Sequence, residues 1–567
     1  MVAGIVVTIV GLAVTLALIA LVVTAGRGDR AAVDARGVRR FFQYVVLYAL
    51  VVVVTLGLAE LIGRALGAPT PEWQNDAYEL AQALTFVLIG APLAIALAWW
   101  IRRGHREDPT EAASPLFTAY LTLAALTGLV GAALALQNLI FEAIADTSLD
   151  RDAAAQVLAW TALWLGHWWL SRRVLDAERQ SYHLLLGSLV GLAMGTIGLV
   201  MTLGNSLDLM LRPDLQLRPL TEVGAGVAWL IPGALVWVAY WPTAAVRLPR
   251  RTLWLAYVLL IGVGGGLVTA LVAASRLLWS ALVWLVGDRL DQTMAQHFDS
   301  AATEIAAVLI GVLVWWYHRE ALGELATARS DVRRVYEYLV AGIALAAAAA
   351  GVGTVLVALI EVTTRGTDVG ITTVNTLLGA VTLLAVGAPL WWWHWRSAQK
   401  AAAADPAGEV PSLARRIYLV VLFGVAGIAA VIALLTVMFM VFRDLVDAQL
   451  GAATLRSMRY GLGVLVASAA VSAYHGAIWR QDARLAISSK VAGPRHVILV
   501  GADDPGLASA VREQTGATVE SWPRGDGVGG VWDETAVLAA LAGHEGQDVL
   551  VIAGEPGLQI ISVQARR

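Results

Sequence analysis

In an apolar chain, carboxylates, arginines and histidines are the residues able to do chemistry, because each is costly to bury without a partner. The sequence holds nine histidines and no cysteine. The absence of cysteine excludes disulfides, iron–sulfur clusters, thiolate zinc sites and a cysteine nucleophile. His167, His318, His394 and His475 stand near the ends of apolar segments, with His105 and His183 near the same level. Facing imidazoles on two helices are what haem ligation in a bundle requires. These histidines differ in their offset from the flanking arginines, so they read as inequivalent interfacial residues. No catalytic, cofactor-binding or metal-binding residue is assigned, no cofactor is expected, and the chain is expected not to be an enzyme.

The charges inside apolar segments, Glu60, Glu142, Asp208, Arg276, Glu361, Arg443 and Asp444, come late in those segments. Glu142, Glu361 and Arg443 each follow an aromatic residue (Phe117, Tyr336, Tyr418) by 25 positions. As helix that is about 37 Å, beyond the hydrocarbon. They read as wet ends; the alternative is a polar ring where helix ends meet. Single Ser and Thr residues at mid-span can satisfy themselves on the helix backbone. No span shows the charge series of a proton relay.

Tryptophan is the other conspicuous residue, 22 in all. "PLWWWHWRSAQK", residues 389–400, is the densest cluster, and Trp99, Trp100, Trp168, Trp169, Trp241, Trp315, Trp316 and Trp479 lie at comparable segment ends. Indole favours the headgroup boundary. At about 100° per residue, Trp391, Trp392, Trp393 and Trp395 point almost all the way round a helix. They therefore read as an aromatic belt rather than a ligand cage, with His394 the one residue that keeps a ligand in question.

The elements that carry these residues are long apolar runs. The chain has 567 residues, 58% hydrophobic and 15% charged, with a mean hydropathy of +0.69. That is the composition of a polytopic membrane protein. A net charge of -3 gives no argument for nucleic acid. The first apolar run, Val2–Ala25, has no preceding positive residue and reads as an uncleaved anchor. Paired spans follow at 41–65 and 77–101, 115–144 and 153–171, 182–211 and 222–242, 252–287 and 303–318, 335–362 and 371–395, 416–445 and 459–479. First members open on arginine and an aromatic ("RRFFQY", "RRVYEY", "RRIYLV"); second members close on aromatics and arginine ("AWWIRR", "HWWLSRR", "WWWHWR"). The period is about 75 residues. Pro92, Pro232 and Pro389 are expected to kink second members. Alternate connections carry 26 and 9 Lys plus Arg. By the positive-inside rule the N-terminus is outside and the C-terminus cytoplasmic, which needs an odd number of spans.

The tail is different. "HVILVGADD", "ATVESW" and "QDVLVIAG" read as strands, with "PGLASAVREQTG" and "DETAVLAALAG" as helices between them. That is a small α/β unit with a parallel sheet. "GADDPG" is neither a dinucleotide fingerprint nor a Walker sequence.

The paired segments, above all "RRFFQYVVLYALVVVVTLGLAELIGRAL" and the later Arg–aromatic starts, resemble uncharacterised bacterial multi-pass membrane proteins with tandem domain of unknown function 5671, over roughly residues 39–480. The resemblance implies a cytoplasmic-membrane protein and transfers no substrate, cofactor or catalytic residue. The expected fold is thus an all-α polytopic membrane protein with about 13 transmembrane helices: an N-terminal membrane anchor and basic linker (1–38), six tandem two-helix repeats (39–490), and a small cytosolic α/β domain (491–567). The expected role is a non-enzymatic scaffold, accessory or sensory protein. Its expected partners are the lipid bilayer and either a membrane protein or a cytosolic protein met through the tail. The alternative is a transporter or channel for an apolar or amphipathic solute, with Asn138, Asn205 or Glu142 on its path. A lipid-acting enzyme would need a carboxylate or histidine cluster at one interface.

Overall fold

The computed structural model describes residues 35–563 apart from 69–75, 146–148, 212–218, 290, 324–329, 365–371, 489–492, 526–531 and 555–556. The apolar anchor lies outside the described residues. The chain divides into two units, residues 1–332 and 333–567.

The first unit is helical throughout. Its elements are α1 (Ala35–Ala65), α2 (Asp76–Leu88), α3 (Gly90–Glu107), α4 (Pro109–Ala112), α5 (Pro115–Ala145), α6 (Arg151–Val174), α7 (Ala177–Leu211), α8 (Pro219–Tyr240), α9 (Thr252–Ala256), α10 (Gly266–Val286), α11 (Met294–His297) and α12 (Ala301–Leu322). Consecutive partners pack on one another: α5 on α6, α7 on α8, α10 on α12. Proline opens α4, α5 and α8, where its missing N–H is not needed. Asp150 caps α6 by accepting from Ala153 N at 3.0 Å.

The second unit holds α13 (Asp331–Thr363, from Arg333 on), α14 (Thr373–Ala404), α15 (Pro406–Glu409), α16 (Leu413–Val446), α17 (Ala452–Ser457) and α18 (Arg459–Ser488). The tail follows: β1 (His496–Gly501), α19 (Pro505–Thr515), β2 (Thr518–Pro523), α20 (Glu534–Leu541), β3 (Asp548–Gly554) and β4 (Gly557–Val563).

Among the described residues, eleven helices are long and apolar enough to cross a membrane. Every paired segment expected from sequence forms helix. The segment at 153–171 becomes α6, 24 residues long, but it is not among those eleven. Two helices depart from the expected continuity. The span at 77–101 breaks at Ile89, between α2 and α3, three residues before Pro92, whose ring nitrogen has no hydrogen to give Leu88. Pro232 and Pro389 instead sit inside unbroken α8 and α14. The span at 252–287 contains a π-helical stretch, Tyr257–Gly265, between α9 and α10. Mid-span hydroxyls bond their own helices, as expected: Thr55 to Val51 O at 2.8 Å, Ser188 to Leu184 O at 2.7 Å, Thr382 to Leu378 O at 2.9 Å.

In the tail the strand order is β2-β1-β3-β4, with β2, β1 and β3 parallel and β4 antiparallel to β3. The first three strands and both helices match the sequence expectation; β4, "GLQIISV", was not anticipated. Val497, Leu499, Val519, Val549 and Val551 point to one face, and Leu507, Val511, Val537 and Leu541 from both helices close over it. The alternate residues point the other way. Ile498, Val500, Leu550 and Ile552 are half-buried there, flanked by exposed Trp522 and Ile561.

Arg495 grips Asp548 with two bonds, 2.9 and 2.5 Å long, tying the start of β1 to the start of β3. The guanidinium holds the Asp548 carboxyl below the usual carboxylate range. A carboxyl depressed in the folded state stabilises above its unfolded pKa, and that stabilisation is lost as pH falls through the folded value. Hydrogen exchange on the full chain should therefore show β1 and β3 losing protection below about pH 4. Asp548→Asn should be less protected at neutral pH and lack the acid step. Identical pH profiles for the two proteins would refute the linkage.

Candidate functional site

The arginine-rich ends of the helices hold the clearest constellation, and it occurs twice. In the first unit, Arg39 and Arg40 at the start of α1 pair with Glu111 of the short helix α4. One turn on, Tyr44 lies 5.8 Å from Tyr120 of α5, their rings 23° from parallel. Tyr120 meets His167 of α6 edge-on at 5.6 Å, and its hydroxyl lies 3.0 Å from Nε2. His167 Nδ1 lies 3.0 Å from Leu163 O, which can only accept. In the neutral ring Nδ1 therefore carries the proton, and Nε2 accepts from the Tyr120 hydroxyl.

The second unit repeats the Arg–Glu pair and the stacking of the rings, but no hydrogen bond joins its second tyrosine to its histidine. Arg334 at the start of α13 bonds Glu409 of α15 at 2.9 Å. Tyr338, again four residues after the arginine, lies 5.0 Å from Tyr418 of α16, and Tyr418 meets His475 of α18 at 5.6 Å and 72°. His475 Nδ1 is again bonded to the carbonyl four residues back, Val471 O, at 2.8 Å. The short helices share a cause: Asp108-Pro109 and Asp405-Pro406 each stop one helix and start the next.

The largest difference between the two junctions lies at one position. Phe117, three residues before Tyr120, packs on Tyr44 and His105 in the first. Arg415, three residues before Tyr418, takes its place in the second. Arg415 is 2% exposed and bonds Asp482 at 2.5 and 3.1 Å, Gln399 at 3.0 Å and Tyr338 Oη at 3.4 Å. Tyr338 turns its hydroxyl to Glu409 Oε1 at 3.1 Å, whereas Tyr44 bonds His105 Nε2 at 3.0 Å. An apolar contact has become a buried ionic network.

Tryptophans tie neighbouring hairpins together at this level. Trp164 Nε1 donates to Tyr240 Oη at 2.6 Å, Trp241 Nε1 to Tyr317 Oη at 3.1 Å, and Trp395 Nε1 to Tyr474 Oη at 2.7 Å. The belt reading therefore fails for Trp241 and Trp395, which are 0% and 2% exposed. Trp392 and Trp393 point outward, at 57% and 76% exposed. Close packing needs missing side chains opposite the rings. A Cβ on Gly187 would meet the Tyr240 ring at 2.3 Å, and one on Gly262, inside the π-helical stretch, the His318 ring at 2.2 Å.

The histidines are also more alike than their arginine offsets indicate. His105, His167, His183, His318, His394 and His475 each meet a tyrosine ring or hydroxyl. His394 is half-buried beside Tyr336 and lies outside the repeated constellation; His475 is the histidine that belongs to it. Away from these junctions, charges act as staples. Arg64 bonds Glu60 and Asp76 at 2.8 and 2.5 Å, Arg276 pairs with Glu304 at 2.8 Å, and Arg459 bonds Glu361 at 2.9 Å. Glu361 is buried rather than wet, because Arg459 and the Arg456 contacts to its backbone enclose it. Glu142 is exposed, as expected. Among the described residues no group of three or more His, Asp or Glu side chains is placed to hold a metal ion.

The apolar helices define the class, a multi-pass helical membrane protein of unknown activity. Residues 40–161 and 334–470 each match the family model described as "Domain of unknown function (DUF5671)", so two copies of that domain occur in this chain. Each match opens on the arginine of a junction, Arg40 or Arg334, and runs past its second tyrosine. No curated protein and no solved structure matches the chain.

Removing one partner of a buried ion pair strands the other charge. Asp482→Ala should lower the stability of the detergent-solubilised protein by about 3 kcal/mol. Arg415→Phe combined with Asp482→Leu, which restores the first junction's chemistry, should recover most of that loss in thermal melts. A double variant as unstable as the single one would refute the equivalence of the two junctions.

Proposed function

We propose that this protein is a non-enzymatic membrane scaffold or accessory protein whose C-terminal α/β domain docks a partner on the bare face of its sheet. The observation that carries this is the apolar surface of Ile498, Val500, Leu550, Ile552, Trp522 and Ile561, opposite the helix-covered face. Parallel sheets are ordinarily covered on both sides, and contiguous apolar surface on a water-facing domain marks an interaction site. The membrane part supports a static role. Charges such as Arg64 with Glu60 and Asp76, and Arg459 with Glu361, are stapled together, and mid-span Thr55, Ser188 and Thr382 bond their own backbone. Asn205, one of the residues expected on a transport path, is committed to Glu222 O at 2.6 Å, and Asn138 and Glu142 share an exposed face of α5.

In this reading the apolar anchor is a first span and six hairpins follow, thirteen spans in all. The two domain copies are each a pair of hairpins, with the third and fourth hairpins between them. The arginine-rich ends and the tail face the cytoplasm of a bacterial cell, and the N-terminus lies outside.

Trp522→Ser and Ile561→Lys alter exposed positions and should leave melting unchanged. A partner cross-linked to the full wild-type chain in mild detergent should be lost from both variants. Equal recovery on all three chains would overturn the docking face. Solute flux in liposomes carrying the chain alone would overturn the scaffold reading in favour of the transporter.

A further inference from the structure

Three of the exposed tryptophans near the arginine-rich helix ends carry an arginine one turn later. Trp99 is followed by Arg103, Trp169 by Arg173 and Trp392 by Arg396. Side chains on a helix lean toward its N-terminus, so a residue at i+4 falls back over the one at i. The guanidinium carbons accordingly lie 6.0, 3.9 and 6.0 Å from the indole ring centres. All three indoles and all three arginines are exposed.

The three pairs differ in what else the arginine meets. Arg103 is already held by Glu107 at 2.8 Å. Arg173 and Arg396 have no carboxylate within ion-pair distance among the described residues, and carboxylates nearby in sequence are engaged elsewhere: Asp176 with Arg179, Glu178 with Arg251. Each of the two stands beside a further cation, Arg172 and Lys400 respectively, both exposed. The exposed Trp316 shows the contrast, with an acidic residue, Glu320, at the i+4 position.

We infer that the Trp169–Arg173 and Trp392–Arg396 pairs are binding sites for the phosphate of an anionic phospholipid. The inference rests on the reading that these helices cross a bilayer. The indole fixes the depth, since it sits where acyl chains give way to headgroups. It also attracts the guanidinium over its face, at 3.9 Å for Arg173 and 6.0 Å for Arg396, while leaving N–H donors available to a ligand. A planar fork of donors matches two oxygens of one phosphate. A zwitterionic headgroup brings its own cation to the same place and competes with the arginine. The adjacent Arg172 or Lys400 adds attraction for net negative charge.

The test is native mass spectrometry of the full chain, purified in mild detergent and exchanged with phosphatidylglycerol or phosphatidylcholine. The wild-type protein should retain phosphatidylglycerol preferentially. Arg173→Gln with Arg396→Gln should reduce that preference, by about fivefold for each arginine removed. Arg173→Lys should show an intermediate loss, because it keeps the charge and loses the fork. Arg103→Gln should leave the preference unchanged, since that arginine is occupied. Equal retention of the two lipids by the wild-type chain, or an undiminished preference in the double variant, overturns the sites. Displacement of the lipid by millimolar glycerol 3-phosphate shows a free-phosphate site and overturns the lipid assignment. A chain that stays monodisperse in buffer without detergent overturns the membrane reading itself, a separate outcome from the loss of lipid preference.

Discussion

Arg334 and Glu409 are 75 residues apart in the chain, yet they meet at 2.9 Å with the carboxylate almost wholly buried. The rest of the junction depends on this pair. It fixes the start of α13 against the link that follows α14, so that Tyr338 must face Tyr418 one turn deeper. Arg40, Glu111, Tyr44 and Tyr120 obey the same constraint in the first unit. Ion pairs of this kind contribute little net stability after desolvation, but they penalise any register that leaves one charge alone. In a bilayer, where apolar side chains gain nothing from leaving lipid for a helix neighbour, such polar contacts and close small-residue packing decide how helices associate.

The substitution of Phe117 by Arg415 shows how one geometry is kept with different chemistry. The first junction uses an aromatic wedge and a Tyr–His bond. The second uses a guanidinium that binds three neighbours at once, with the Trp395 ring 5.9 Å from it. The cost is a buried cation whose partners must all be present, and Asp482, Gln399 and Tyr338 are. Proton transfer from Tyr120 to His167 would create two charges in a closed apolar setting, so the pair is best understood as a structural clamp.

Much of this was legible in the sequence, and the rest fails for identifiable reasons. Apolar run length located the helices, and the arginine starts located the junctions, since α1 and α13 open where "RRFFQY" and "RRVYEY" stand. Periodicity marked three tail strands; β4 was missed because "GLQIISV" follows β3 almost without a break. The tryptophans misled because adjacent residues on one helix have opposite fates: Trp393 is exposed, while Trp395, two positions on, is buried against Tyr418 and Tyr474. Offsets from the arginines make the histidines look inequivalent. The relevant rulers are the carbonyl four residues back and a tyrosine some 47 to 57 residues away, as for His167 and His475. Glu361 was placed in water because helix length gives depth but does not reveal Arg459 opposite.

The central claim is that both domain copies are held by one junction: an Arg–Glu pair, two facing tyrosines and an edge-on histidine. A density map of the full chain in lipid nanodiscs, at a resolution that shows side chains, tests it most directly. The account predicts Tyr44 on Tyr120 and Tyr338 on Tyr418, each beside its histidine, with Glu111 and Glu409 against the arginines that open α1 and α13. Tyrosines separated by a water-filled cavity, or glutamates turned away from those arginines in either copy, would contradict it.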